Sequence, residues 1–307
     1  TKMSSNVKSK VSGMSDYAKG VIAGIVSAMG FGFIPVFSKP MLADGMATEC
    51  VLFYRFFLSA IMMAIYLMVT HRRIAVGWRY APSMFVEAIF YSFSGGLLMF
   101  GYNYMTGGVT TVIHFTYPVF VMAISLIFFR ERIKGASVLS IVIALAGIYC
   151  LSVLGGDASF VPGANKVIGV IIVVLSGLAC GCYIVGVNRT RAHELPSLVF
   201  TFWLLLISSM FFLGISAYNG TLEFITTHKQ CLCFVGLTLI ATILSNITLV
   251  FSARYVGSTL AAILGAVEPT TAVLMCILLF GETLNAWIVT GIVLVFTAVI
   301  IVVKRSR

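Results

Sequence analysis

Charge is scarce in this chain: Asp, Glu, Lys and Arg make up 10% of its 307 residues, against about 25% in soluble domains. Acidic residues are scarcer still, 10 against 20 basic ones. With 60% of residues hydrophobic and a mean hydropathy of +1.07, a water-soluble domain is excluded and an all-α integral membrane protein is expected. Several chemistries are missing too. There is no Gly-rich phosphate loop of the Walker type, no paired-carboxylate hydrolase pattern and no His/Cys metal spacing. An enzyme and an ATP-driven pump are therefore not expected of this chain, nor is a cofactor or a metal. The basic excess lacks the Lys/Arg stripe interleaved with aromatics that nucleic-acid binding needs, so no nucleic-acid partner is expected. Among seven cysteines, the pairs Cys180/Cys182 and Cys231/Cys233 fall two residues apart. Such positions point to different faces of a helix, which favours small buried thiols over disulfides or metal clamps.

What the chain does have is a succession of apolar runs of about 20 residues, the length that crosses a bilayer core. They predict spans at Ala18–Ser38, Ala47–Thr70, Ala81–Met105, Val109–Phe129 and Ala136–Leu154, then at Val167–Val187, Pro196–Tyr218, Leu232–Tyr255, Ser258–Phe280 and Ala286–Val303. Ten transmembrane helices result. Residues 1–17 and 304–307 are read as cytoplasmic tails, the first without a signal-peptide cleavage pattern. Residues 18–154 and 166–303 are read as two five-helix units. With the amino terminus inside, inner segments hold 16 of the 20 basic residues. Lys39, Lys166 and Lys229 fall outside, and Arg55 lies within a span. The positive-inside rule then puts both termini in the cytoplasm.

The second unit echoes the first. Tyr104, Tyr117-Pro118 and Glu131 recur as Tyr255, Glu268-Pro269 and Glu282 at an offset of 151, while Gly20, Ser27 and Gly32 recur as Gly169, Ser176 and Gly181 at 149. Five spans per copy is an odd number, so the copies cross the membrane in opposite senses: an inverted repeat, a recurrent transporter device. The spacing-four pairs Gly20/Gly24 and Gly177/Gly181 suit close helix approach.

Candidate functional residues are the polar ones at membrane depth. Arg55 lies about 12 Å and Glu268 about 15 Å into their spans at 1.5 Å per residue. An intramembrane charge faces inward and finds a partner. Three readings stay open: an Arg55–Glu268 pair, an Arg55 contact to a substrate carboxylate, and a Glu268 that carries a proton. Glu87, Tyr91, Ser94 and Tyr102 share one helix face, as do Thr110, His114 and Tyr117. Ser245 and Asn246, with Thr242 and Ser252, add a third polar group, and Tyr183 and Trp203 complete the candidates. Such a lining suits a small amphipathic solute, and His114 is a second candidate for proton coupling. Pro118 and Pro269 break backbone bonding within their helices and are candidate hinges. Glu131 and Glu282 are expected to cap the helices that follow them. Asn219-Gly220-Thr221 is a glycosylation sequon, meaningful only in a eukaryotic secretory route.

Four passages carry a family resemblance: Phe53-Tyr54-Arg55-Phe56-Phe57, Tyr117-Pro118 through Glu131-Arg132, Glu268-Pro269, and Phe280-Gly281-Glu282-Thr283-Leu284. On these the chain resembles the EamA-type members of the drug/metabolite transporter superfamily, over nearly its whole length. The first copy departs from the family pattern in having Arg130 where Gly is usual and Tyr117 rather than Glu before its proline, so the halves are chemically unequal. The resemblance implies a ten-helix carrier of small metabolites, often an exporter of amino acids or related compounds, in the plasma membrane, here a bacterial inner membrane. Its partners are then a small-molecule substrate and the lipid bilayer, as a monomer or homodimer. A nucleotide-sugar or phosphometabolite exchanger of the same superfamily, and a passive channel or scaffold, are the alternatives.

Overall fold

The computed structural model describes residues 15–104, 107–130, 135–150, 154, 165–280 and 286–305. Among these there is no β-strand, as the composition demands. The helices are α1 (Asp16–Gly32), α2 (Ile34–Ala43), α3 (Thr48–Val69), α4 (Ala81–Gly101), α5 (Gly107–His114), α6 (Tyr117–Phe129) and α7 (Gly135–Tyr149), then α8 (Lys166–Arg189), α9 (Ser197–Asn219), α10 (His228–Thr238), α11 (Ser245–Val256), α12 (Ser258–Leu264), α13 (Val267–Phe280) and α14 (Ala286–Arg305). Among the described residues, six helical stretches are long and apolar enough to cross a membrane: Asp16–Ala43, Thr48–Val69, Trp78–Gly101, Val167–Arg189, Ser197–Asn219 and His228–Val256. Tyr117–Phe129, Gly135–Gly147 and Val289–Ala298 are shorter apolar helices.

Proline explains the breaks. A proline removes a donor and crowds the carbonyl four residues back, and the helix stops just ahead of Pro118 at Phe115–Thr116 and just ahead of Pro269 at Gly265–Ala266. The break between α1 and α2, at Phe33, precedes Pro35 in the same way. Between α10 and α11 the chain widens into a π-helical turn, Leu239–Leu244. Thr227 and Gln230 form a capping box at the start of α10, and Asn165 caps α8 through the amides of Val167 and Ile168. The proposed caps Glu131 and Glu282 lie outside the described residues, as do residues 1–14, 306 and 307 of the tails. Arg130, at the end of α6, adopts φ +51° in the left-handed region that glycine occupies freely.

Packing exchanges the two halves. α1 packs on α11 and α4 on α8; α3 packs on α9, and α7 on α14. Equivalent glycines make equivalent approaches. A β-carbon on Gly32 would lie 2.7 Å from Thr271, and one on Gly181 2.9 Å from Phe120, which is the counterpart of Thr271 at offset 151. Equivalent hydrogen bonds follow: Ser27 Oγ donates to the Ser245 carbonyl at 2.8 Å, and Ser176 Oγ to the Ser94 carbonyl at 2.7 Å. Even surface ion pairs correspond, Lys229–Asp44 and Arg79–Glu194 being related residue for residue by an offset of 150.

These contacts define two ends. Gly20 abuts Tyr255 and Val256, Arg254 donates to the carbonyls of Ala192 and Leu195, and Arg79 pairs with Glu194, which collects Lys19, Arg79, Arg191 and Arg254 at one end. The opposite end has Lys229–Asp44 and a buried Glu49 that accepts from Asn219 Nδ2 at 3.0 Å and Thr221 Oγ1 at 2.9 Å. The sequon therefore has a structural use: two of its residues satisfy Glu49, and Gly220, at φ +66°, ends α9.

Candidate functional site

The broken helices converge on a central cavity of about 70 Å³, room for about two waters at about 30 Å³ each. Its wall draws on both halves: α1 through α6 from the first, and α8, α11, α12 and α13 from the second. Of the residues expected there, Arg55, Tyr91, Ser94, His114, Tyr117, Tyr183 and Glu268 line it. Four do not. Tyr102 is half-buried away from the wall. Trp203 Nε1 donates to the Ile74 carbonyl at 2.9 Å. Ser245 is turned into its own helix, its Oγ donating to the Ile240 carbonyl at 2.9 Å. Asn246 stands behind the wall, Nδ2 donating to the Tyr91 hydroxyl at 2.7 Å and to the Thr242 carbonyl at 2.8 Å. Asn246 thus orients a cavity residue instead of facing the cavity.

Arg55 is 3% exposed and has found its partners elsewhere than Glu268. Its Nε donates to Thr242 Oγ1 at 2.8 Å and its Nη2 to the Ala241 carbonyl at 3.2 Å, and the guanidinium lies 5.2 Å from the centre of the Phe56 ring. Both acceptors belong to the π turn, where i→i+5 bonding loosens the carbonyl ladder and often marks a functional position. The ion pairs among the described residues are Lys19–Asp16, Arg79–Glu194 and Lys229–Asp44; Arg55 and Glu268 do not pair in this state. One cavity therefore carries a guanidinium and a carboxyl group with no direct ion pair between them.

His114 Nδ1 lies 2.9 Å from Ser176 Oγ, whose single hydrogen goes to the Ser94 carbonyl. The Ser176 oxygen must accept, which assigns the imidazole hydrogen to Nδ1 and leaves Nε2 as the acceptor of the neutral ring. The Tyr117 ring lies 5.5 Å from that of His114 and 5.3 Å from that of Phe115. Tyr91 packs between Phe56 and Tyr183, at 5.3 Å and 5.2 Å. The site is an aromatic box with one cation, one carboxylate and one imidazole.

Periodicity missed the apolar wall, Phe31, Ile34, Phe56, Leu98, Ile184 and Leu249, because apolar residues in an apolar span carry no signal about which face looks inward. It also missed Cys180. The thiols expected to be buried are mostly not: Cys50 is, whereas Cys180, Cys182 and Cys233 are half-buried and Cys231 is exposed. Cys180 lines the cavity, and Cys231 is exposed in the first turn of α10.

Glu87, expected on the polar face of α4, is 1% exposed, does not line the cavity, and keeps Oε2 without a hydrogen-bond partner. It lies against Gly186 of α8. The hydroxyls of Tyr183 and Thr190 and the Nε of Arg254 are buried and unpartnered as well.

Comparison with known proteins agrees with this geometry. A stretch of 109 residues is 31% identical to an uncharacterized transporter of Archaeoglobus fulgidus, covering 35% of this chain and only 37% of that relative's length. A solved crystal structure of a protein superposes with a TM-score of 0.74 over 92% of this chain and 97% of its own, at 12% identity, a likeness of fold alone. Residues 18–153 and 167–304 each match the EamA-like transporter family. Two matched repeats packed face to face around a cavity that both of them line, in a chain built of membrane-length apolar helices, make this protein a member of the EamA-like transporter family.

Proposed function

We propose that the chain is a secondary transporter that moves a small zwitterionic, amphipathic metabolite, an amino acid or a close relative, by alternating access. The observation that carries this reading is that Arg55 and Glu268 line one aromatic-walled cavity without an ion pair between them. A solute with a carboxylate and an ammonium group offers each of them a partner, and leaves its apolar part to Phe31, Phe56 and Tyr183. A group buried without an ionic partner gains from meeting one, so a solute that meets both is favoured over one that meets neither.

The reading includes ten spans in two inverted five-helix units, residues 18–154 and 166–303, with the basic end and both termini in the cytoplasm and the chain in a bacterial inner membrane. The collection of Lys19, Arg79, Arg191 and Arg254 at one end supports that orientation. Export is the proposed direction, with Pro118 and Pro269 as hinges and Glu268 or His114 as the group through which protons would couple.

A nucleotide-sugar or phosphometabolite exchanger fits less well. Such polyanions need several cations, and Arg55 shares this wall with a carboxylate. A passive channel is disfavoured by the closed packing of the basic end, where α8 meets α11 and α12. The test is counterflow in proteoliposomes with labelled amino acids. Saturable exchange that is accelerated by unlabelled solute on the far side supports the carrier. Uptake indifferent to the far side identifies a channel, and exchange of phosphorylated solutes alone overturns the zwitterion reading. Secretion profiles of overproducing cells test direction.

A further inference from the structure

The repeat makes this state readable. Most helix contacts in one half have a counterpart in the other, so a contact made once and absent from its counterpart marks where the two ends of the bundle differ. At the basic end, α8 is tied to α11 and α12. Asn188 Nδ2 donates to the Ala253 carbonyl and, at 2.9 Å, to Ser258 Oγ. Ser258 Oγ in turn donates to the Ile184 carbonyl at 2.9 Å, and Ile184 is itself a cavity residue. Arg254 closes the corner, donating to the Leu195 carbonyl at 2.6 Å, to Ser197 Oγ at 3.1 Å and to the Ala192 carbonyl at 3.2 Å.

The counterpart at the other end would join α1–α2 to α4 and α5. Among the described residues it is not made: neither α1 nor α2 packs closely on α4 or α5. Lys39, 149 residues before Asn188, and Asn103, 151 before Arg254, are exposed. Across the basic end, Arg254 Nε and the Tyr183 hydroxyl are buried without a hydrogen-bond partner within the closed packing, and Glu87 Oε2 and the Thr190 hydroxyl lack one of good geometry.

We propose that the Asn188–Ser258–Ile184 bonds and the Arg254 clasp are the inner gate of the transporter, closed here in an outward-facing state, and that they must break for the cavity to open to the cytoplasm. This rests on the carrier reading above. Opening would separate α8 from α11 and α12 and give water to the unpartnered groups, which recovers the desolvation that the closed gate imposes on them. The closed state is then held by these directional bonds together with the apolar packing of Ile184, Val187 and Leu260 around them, and removing a bond shifts the balance toward opening.

Cys180 is a native reporter, since its half-buried thiol lines the cavity. Inside-out and right-side-out vesicles would be treated with a membrane-impermeant methanethiosulfonate, and the Cys180 peptide followed by mass spectrometry. In the wild-type protein, labelling is expected from the outer face and to be slow from the inner. Asn188→Ala, Arg254→Gln and the milder Ser258→Ala are each expected to raise inner-face labelling about two- to tenfold, the population shift worth one hydrogen bond, and to lower outer-face labelling. Unchanged sidedness in Ser258→Ala and Asn188→Ala would overturn the gate. Counterflow in the same vesicles tests the carrier separately: its loss with labelling still shifted overturns the carrier reading and leaves the gate standing.

Discussion

The hydroxyl of Tyr117 occupies the space that a β-carbon on Gly265 would fill. Gly265 is the counterpart of His114 at offset 151, just as Glu268 is the counterpart of Tyr117, so one half presents an imidazole and a phenol where the other presents a bare backbone and a carboxylate. The two sides fit together because they differ. Gly265→Ala is expected to push Tyr117 out of place, to cost about 1–3 kcal/mol of stability as overpacking does, and to abolish counterflow. Thermal unfolding in detergent and proteoliposome exchange check this; wild-type behaviour in both would show that Tyr117 has room to move.

Arg55 and Glu268 share no hydrogen bond or ion pair, so the loss of one should strand little in the other. Arg55→Gln loses charge-assisted bonds to Thr242 and the Ala241 carbonyl, worth about 1.5–3 kcal/mol each. In a double-mutant cycle with Glu268→Gln, the stability losses should add within about 0.5 kcal/mol. A large positive coupling, with the double variant recovering stability, would mean that they pair after all. If Glu268 carries the coupled proton, Glu268→Gln keeps exchange but loses accumulation driven by a pH gradient.

The equivalent serines are not equally loaded. Ser27→Ala removes one cross-half donor, at about 1 kcal/mol. Ser176→Ala removes a donor and also strands the Nδ1 hydrogen of His114, so its cost should be larger by about 1–3 kcal/mol. Melting temperatures of the two variants, measured side by side, decide the ordering.

Glu194 gives a pH signature outside the spans. The Tyr80 hydroxyl and then the Arg79 guanidinium hold its carboxyl below the ordinary value of 4.5. A depressed folded-state value means that the contribution is complete above pH 4.5 and disappears as pH falls through the lower, folded-state value. Glu194→Gln should therefore be less stable than wild type at pH 6–7, by a small margin because the pair is exposed, and the difference should vanish in more acidic solution. A difference that grew on acidification would contradict the assignment.

Arg130 holds φ +51° where the family pattern has glycine. Left-handed backbone costs a non-glycine residue about 1–2 kcal/mol, partly offset by the entropy that glycine loses on folding. Arg130→Gly should stabilise the protein by about 0.5–1 kcal/mol, read as a higher melting temperature with transport retained.

Much of this molecule could be read from the chain alone, for a physical reason in each case. Membrane residence, the helical class and the apolar stretches are local properties, set by the cost of an unsatisfied peptide group in hydrocarbon. The repeat was legible because offsets of 149 and 151 survive in residues that matter at close range, such as Gly32 and Gly181, or Ser27 and Ser176. Helix periodicity pointed to Tyr91, Ser94 and His114, which line the cavity, and equally to Glu87, Tyr102 and Thr110, which do not. Only the tertiary structure decided that Arg55 turns to the π turn instead of Glu268, that Asn246 stands behind Tyr91, that Trp203 faces away, and that Cys180 looks into the cavity. Those choices depend on which helix is packed against which, and at what rotation. A polar side chain at membrane depth announces in sequence that it needs a partner, whereas the identity of that partner is set by neighbours more than a hundred residues away.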